Sequence, residues 1–380
     1  MIHDLFEKKE KKVEYLELIY DLIFVYIIGR NNELLHHSGN VFENPGLFLP
    51  YILCTLAVIQ IWNYTTYYVN IYGKNGVREH VFMFENMFLL FFVAQGTRVQ
   101  WQDQHTVYHV AWALILCNIA FQYLMEMRGA VMPIQRQHIY RQCAMLFGQA
   151  AVVLLAIGEF ALFGTSFLSA VAVVGGIVMS FAVGWGKGED VIDFPHLSER
   201  AMLYVVFTFG EMIIALSSYF EDDLSLNTLY FAGMAFLIVV GLFLSYGVIY
   251  DHLIDREQKT NGLGYMLIHL FLIFALNNIT NALAFMRDEE VSVLPKVVFM
   301  AVSLLLLYTM LFALGKYAKV VCRPKPWFFP ALIGGGILFG VLMVVFHENM
   351  YVNIALTAVF VFTVFGVIYR FAQKAEQTQF

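Results

Sequence analysis

The stretch VEYLELIYDLIFVYIIG, Val13 to Gly29, decides the fold. It is apolar enough to enter a bilayer, yet it carries Glu14, Glu17 and Asp21. On a helix, residues four apart share a face, so Glu17 and Asp21 stand one turn above the other. A charged side chain near the bilayer centre costs roughly 2.5 to 3.5 kcal/mol on insertion scales. These acids must therefore face protein or water rather than lipid, and other helices should gather around them.

The rest of the chain has the matching composition. Of 380 residues 60% are hydrophobic and only 14% charged, well below the roughly 25% of soluble domains. A mean hydropathy of +0.67 points the same way. The 36 Phe and 21 Tyr suit lipid contact and interfacial belts. Cys54, Cys117, Cys143 and Cys322 sit in or beside apolar runs and read as small buried hydrophobes. No cleavable leader is expected, because the charged start MIHDLFEKKEKK leads into a run of full span length.

At about 20 residues per crossing, the apolar runs predict an all-α membrane protein of twelve transmembrane helices. Their limits are near 13–34, 47–70, 79–98, 106–126, 140–160, 166–185, 199–219, 227–250, 262–285, 292–315, 327–346 and 350–371. With both termini cytoplasmic, the outer side keeps only Arg30, Arg98, Arg287 and Lys296, and the other 19 of the 23 Lys and Arg fall inside. Glu17, Tyr64 and Tyr68 recur at Glu199, Tyr246 and Tyr250, a shift of 182. At a shift of 183, LLFFVAQGTR (Leu89 to Arg98) falls on LIFALNNITN (Leu272 to Asn281). A six-plus-six parallel duplication follows. The expected division is a basic N-terminus at 1–12, halves at 13–186 and 187–371, and a tail at 372–380.

Three segments resemble the bacterial low temperature requirement A family. LELIYDLIFVYII resembles its first-helix signature through Leu16, Glu17, Leu18, Asp21, Leu22, Phe24 and Val25. HLSERAMLYVVFTFGEMIIALS is similar to its seventh-span pattern at His196, Glu199, Arg200, Gly210, Glu211, Ala215 and Leu216. SYGVIYDHL, Ser245 to Leu253, is similar to the end of its eighth span, but it lacks tryptophan and has Ile249 and Tyr250 before the aspartate. The resemblance implies an integral inner-membrane protein. It implies no biochemical activity, because the family is named for a growth phenotype.

Each candidate residue has a functional and a bland reading. Glu17 and Asp21 form a proton- or cation-binding pair, since two carboxylates one turn apart repel and one holds its proton. Alternatively, Glu17 stays at the interface and Asp21 pairs with an Arg from another helix. Glu211 lies near the midplane of the seventh span, where an ionisable group is a functional candidate. Glu199 and Arg200 open that span, and Arg200 either bridges to Glu17 or Asp21 or snorkels to lipid phosphate. Arg78, Glu79 and Glu85 at the third span invite the same pair of readings, structural pairing being favoured. Asn277, Asn278 and Asn281 form a polar segment of the ninth span, as interhelical glue or as the lining of a wet space. His269 shares their face.

Cofactor chemistry finds little to build on. No phosphate-binding glycine loop, nucleophile elbow or zinc motif occurs, and the cofactor stays unknown. His105 and His109 share a face at i and i+4 near an outer boundary, without an acid or thiol beside them. A membrane haem would need paired deep histidines, and only His269 is deep. Nothing suggests nucleic-acid binding. The partners expected are the bilayer and a small molecule, proton or cation, with a homo-oligomer left open. Transport through an acidic intramembrane site at Asp21 and Glu211 is the favoured function. An intramembrane redox or lipid-handling enzyme and a non-transporting sensor or scaffold are the alternatives.

Overall fold

A computed structural model describes residues 11–36, 42, 45–96, 101–182, 192–220, 224–288, 290–323 and 328–377. Among them stand twelve helices of 16 residues or more. They are α1 (Tyr15–Asn31), α2 (Pro45–Tyr72), α3 (Val77–Gly96), α4 (Trp101–Glu126), α5 (Pro133–Phe163) and α6 (Phe167–Ala182). Then come α7 (Phe194–Ala215), α8 (Leu226–Val248), α9 (Leu263–Arg287), α10 (Val293–Ala313), α11 (Phe328–Val345) and α12 (Met350–Gln377). No strand occurs among the described residues. Lys8, Lys9, Thr97, Arg98, Lys187 and Lys325, which the topology and repeat readings use, lie outside them.

Among the described residues eight segments, in α2, α4, α5, α7, α8, α9, α10 and α12, are long and apolar enough to cross a bilayer. α6 and Leu332–Val345 of α11 are apolar but shorter. α1 has 17 residues, or about 25 Å of helix. Around a largely apolar core, the surface exposes many large hydrophobic side chains and several polar or charged ones are buried. Leu154, Leu155, Leu162, Val174, Val178, Ile214, Ile333 and Ile337 face outward, whereas Asp21, Thr65, Asn86, His196, Arg200 and His269 are fully buried. Hydrocarbon outside and polar groups inside is the arrangement a bilayer solvent selects.

The helix ends follow local chemistry. Gly164 takes φ 65 and ψ 20 and its N–H donates to the Phe160 carbonyl, ending α5 in a left-handed cap that side chains with a Cβ disfavour. Across that turn the Glu159 carboxylate accepts the N–H groups of Phe167 (2.9 Å) and Leu168 (2.6 Å), which caps α6. This resolves the short turn AIGEFALFGTSF into two separate helices. α8 begins on Ser225, whose hydroxyl accepts the Thr228 N–H, and runs into a π-helical turn at Ile249–Leu253.

The chain forms two compact units. The first comprises residues 1–27, 57–204 and 256–266, with α4 packed on α3 and α5 and α5 packed on α6. The second comprises 28–56, 205–255 and 267–380, with α8 against α12 and α11 bridging α10 and α12.

Candidate functional site

In the first unit, the amino-terminal part of α7 brings His196, Arg200 and Tyr204 against the acids of α1. Asp193 starts this helix, its Oδ1 accepting the His196 N–H at 3.2 Å, and Ser198 donates back to the Pro195 carbonyl. Four-residue spacing then puts His196, Arg200 and Tyr204 on one face. The same spacing presents Glu17 and Asp21 from α1.

Arg200 is fully buried and serves both acids. Its Nη1 lies 3.1 Å from Glu17 Oε2, and its Nη2 donates to Asp21 Oδ1. Trp62 of α2 donates its indole N–H to the same Asp21 oxygen at 2.8 Å. The Trp62 ring lies 5.9 Å from the Arg200 guanidinium carbon and 4.5 Å from the Tyr204 ring. The guanidinium is thus held between carboxylates and the Trp62 ring, itself packed at a tilt against Tyr204, a use to which a planar cation is suited. Among the described residues, Asp21 Oδ2 meets no protein hydrogen-bond donor, although the side chain is completely buried.

His196 extends the cluster. Asn70 of α2 accepts the Asp193 N–H at 3.0 Å with its Oδ1 and donates its Nδ2 hydrogens to the Asp193 carbonyl at 2.8 Å and to His196 Nδ1 at 3.0 Å. Because Nδ1 accepts, the ring proton sits on Nε2, which faces Glu17 Oε2 at 3.2 Å. Lys11, before α1, donates to the Gly73 carbonyl at 3.1 Å and to the Val69 carbonyl. Burial pushes its ammonium below the usual lysine range, against the pull of Glu17, Glu79 and Asp193. Glu79 is engaged by backbone, accepting the N–H groups of Lys74 (2.9 Å) and Asn75 (2.8 Å), the latter residue at φ 51.

Other sequence candidates separate from this cluster. Arg78 pairs with Glu126 at an exposed position. Glu85 is exposed, because Met83, Asn86, Met87 and Leu90 take the inward phase of α3 and leave it beside Phe84 and Phe88. Glu199 is half-buried, one residue out of phase with Arg200.

In the second unit, Glu211 is half-buried and packs against Gly29 of α1 so closely that a Cβ at Gly29 would run into its carboxylate. The asparagines of α9 converge on Tyr51 of α2. Its hydroxyl donates to Asn278 Oδ1 at 2.6 Å and accepts from Asn277 at 3.0 Å and Asn281 at 3.2 Å. Asn281 also donates to Asn32 Oδ1 at 2.7 Å. His269 Nε2 lies 3.1 Å from the Tyr246 hydroxyl. Asp21 belongs to the first unit, while Glu211 and the asparagines belong to the second.

Sequence reasoning did not single out Trp62, Asn70, Tyr204 or Tyr51 for the site. Trp62 and Asn70 lie within QIWNYTTYYVNIY of α2, a polar and aromatic run inside an apolar helix, and that was the available signal. His105 and His109 are more deeply placed than expected. Both are buried, with rings 3.8 Å apart, His105 on Phe160 at 3.9 Å and His109 Nε2 2.7 Å from Ser169 Oγ. Among the described residues no three His, Cys, Asp or Glu side chains group as metal ligands.

Apolar outward faces and inward charge define a polytopic α-helical integral membrane protein. More particularly, the family model described as bacterial low temperature requirement A protein (LtrA) matches residues 12–365, and the chain belongs to that family. No curated protein matches, and no solved structure does.

Proposed function

We propose that the protein is a transporter or ion pathway of the bacterial plasma membrane, and that Glu17, Asp21, Arg200 and His196 form its proton- or cation-binding centre. One observation carries the reading. A single buried guanidinium serves two buried carboxylates, and Asp21 Oδ2 meets no protein donor among the described residues. A dry unpaired carboxylate oxygen is costly. A proton or cation taken there lowers that cost, and its release restores the shared ion pair. The guanidinium can lean toward either acid without leaving its partners, so loading and unloading require only small side-chain motions.

Around this centre, on the same reading, stand twelve spans in two parallel six-helix halves, both termini cytoplasmic, with Glu211 as the acid of the seventh span. Eight segments of crossing length and the lopsided Lys and Arg distribution support that arrangement.

Reconstitution into liposomes with an internal pH dye tests the proposal. An imposed cation or metabolite gradient should drive pH change in wild type, and Asp21→Asn should abolish it while the protein remains folded. Flux unchanged in Asp21→Asn and in Glu211→Gln would refute proton coupling. No flux under any gradient would favour the sensor or scaffold alternative.

A further inference from the structure

A second polar feature lies in the other unit. A cavity of about 660 Å³ opens among the 3-10 turn Leu216–Phe220 that follows α7, the starts of α8, α10 and α12, and the end of α9. That size is typical of small-molecule sites. Its wall carries two cations, Arg287 at the end of α9 and Lys296 in the first turn of α10. Lys296 is only 4% exposed and donates to the Asp288 carbonyl at 2.7 Å. Arg287 donates to the Tyr219 carbonyl and lies over the Tyr219 ring at 5.6 Å. These carbonyls anchor the head groups at the cavity wall. Among the described residues one carboxylate shares the lining, that of Asp288, whose Oδ1 accepts the Glu290 N–H at 2.8 Å. Glu221, Asp222 and Asp223, between α7 and α8, lie outside the described residues.

The placement is unusual for this chain. In the twelve-span topology the outer side keeps four of the 23 Lys and Arg, and Arg287 and Lys296 are two of them. Phe231 and Tyr351, whose rings lie 5.1 Å apart, and Tyr219 add aromatic surface to the same lining. Paired cations beside flat apolar rings match a ligand with an oxyanion at one end and an organic body at the other.

We propose that this cavity binds a small organic oxyanion, carboxylate- or phosphate-bearing, from the outer side of the membrane. Binding requires no flux, so the cavity assignment stands or falls separately from the translocation reading above.

The test uses full-length protein in phosphatidylcholine nanodiscs, titrated calorimetrically with benzoate, phenyl phosphate and inorganic phosphate. The organic probes should bind more tightly than inorganic phosphate. Arg287→Gln should weaken them about tenfold or more, as loss of a planar two-point contact does. Asp288→Asn should tighten them roughly fivefold by removing repulsion. These opposite responses distinguish ligand binding from a general folding defect, and unchanged thermal unfolding midpoints complete that control. Weaker phenyl phosphate binding in discs containing phosphatidylglycerol would show lipid headgroups competing for the same oxyanion site, whereas equal binding in both discs would support a soluble ligand. No binding of either organic probe below about 10 mM, equal binding by folded Arg287→Gln, or weaker binding by Asp288→Asn would overturn the assignment.

Discussion

Replacing Arg200 by Met removes one positive charge and leaves Glu17 and Asp21 buried together. The Arg200 Nη1 to Glu17 Oε2 distance is 3.1 Å. At an effective dielectric near 20, Coulomb's law gives about 5 kcal/mol of attraction for such a contact before desolvation is subtracted. Removing one partner of a buried pair costs about 3–5 kcal/mol, because the remaining charge stays dry and uncompensated. Met preserves most of the volume, so the expected loss for Arg200→Met lies in that range. The informative control is Glu17→Gln, Asp21→Asn and Arg200→Met together. Replacing every charge by a near-isostere should return the protein to within about 1 kcal/mol of wild type. Equilibrium unfolding in mixed dodecyl maltoside and dodecyl sulfate micelles, followed by tryptophan fluorescence, measures both variants. A cost below about 1 kcal/mol for Arg200→Met, or a triple variant no more stable than the single one, would refute the buried-triad account.

Further outcomes follow from other contacts. Gly29→Val should destabilise by about 1–3 kcal/mol, because its side chain enters the space held by the Glu211 carboxylate; Glu211→Ala in the same background should recover part of that loss in the same unfolding assay. Tyr51→Phe removes the hydroxyl shared by Asn277, Asn278 and Asn281 and should cost about 1–3 kcal/mol. Lys11 has a linked pH dependence: its folded pKa lies below 10.5, so between these values the unfolded chain binds more protons. Its contribution to stability therefore rises with pH across that window and is level below it. Lys11→Met should remove this alkaline rise, seen by comparing wild-type and variant unfolding midpoints over that range.

The helices were legible because each begins as an apolar run in the sequence, and among the described residues eight of them are long and apolar enough to cross a bilayer. All twelve expected segments overlap a helix in the structure, and the division at Gly164 follows from its left-handed backbone. The partnership of the α1 acids with Arg200 was legible as one of two readings, since a buried carboxylate demands a cation or a proton. Which ring would sit beside them was not, because Trp62 and Asn70 reach the site through the three-dimensional packing of α2, a relation with no local signature. Glu85 shows the complementary limit. Charge in an apolar run left it a candidate, with structural pairing favoured, and the 3.6-residue phase of α3 directs it outward with Phe84 and Phe88.

The ion pair between α1 and α7 also constrains biosynthesis. Asp21 and Arg200 are 179 residues apart. At roughly 5–20 residues per second, the acids of the first helix wait some ten to thirty seconds for their cation to leave the ribosome. Until then they must be protonated, hydrated, or held by the insertion machinery. The α1 acids thus meet their cation only after about half of the chain has been made.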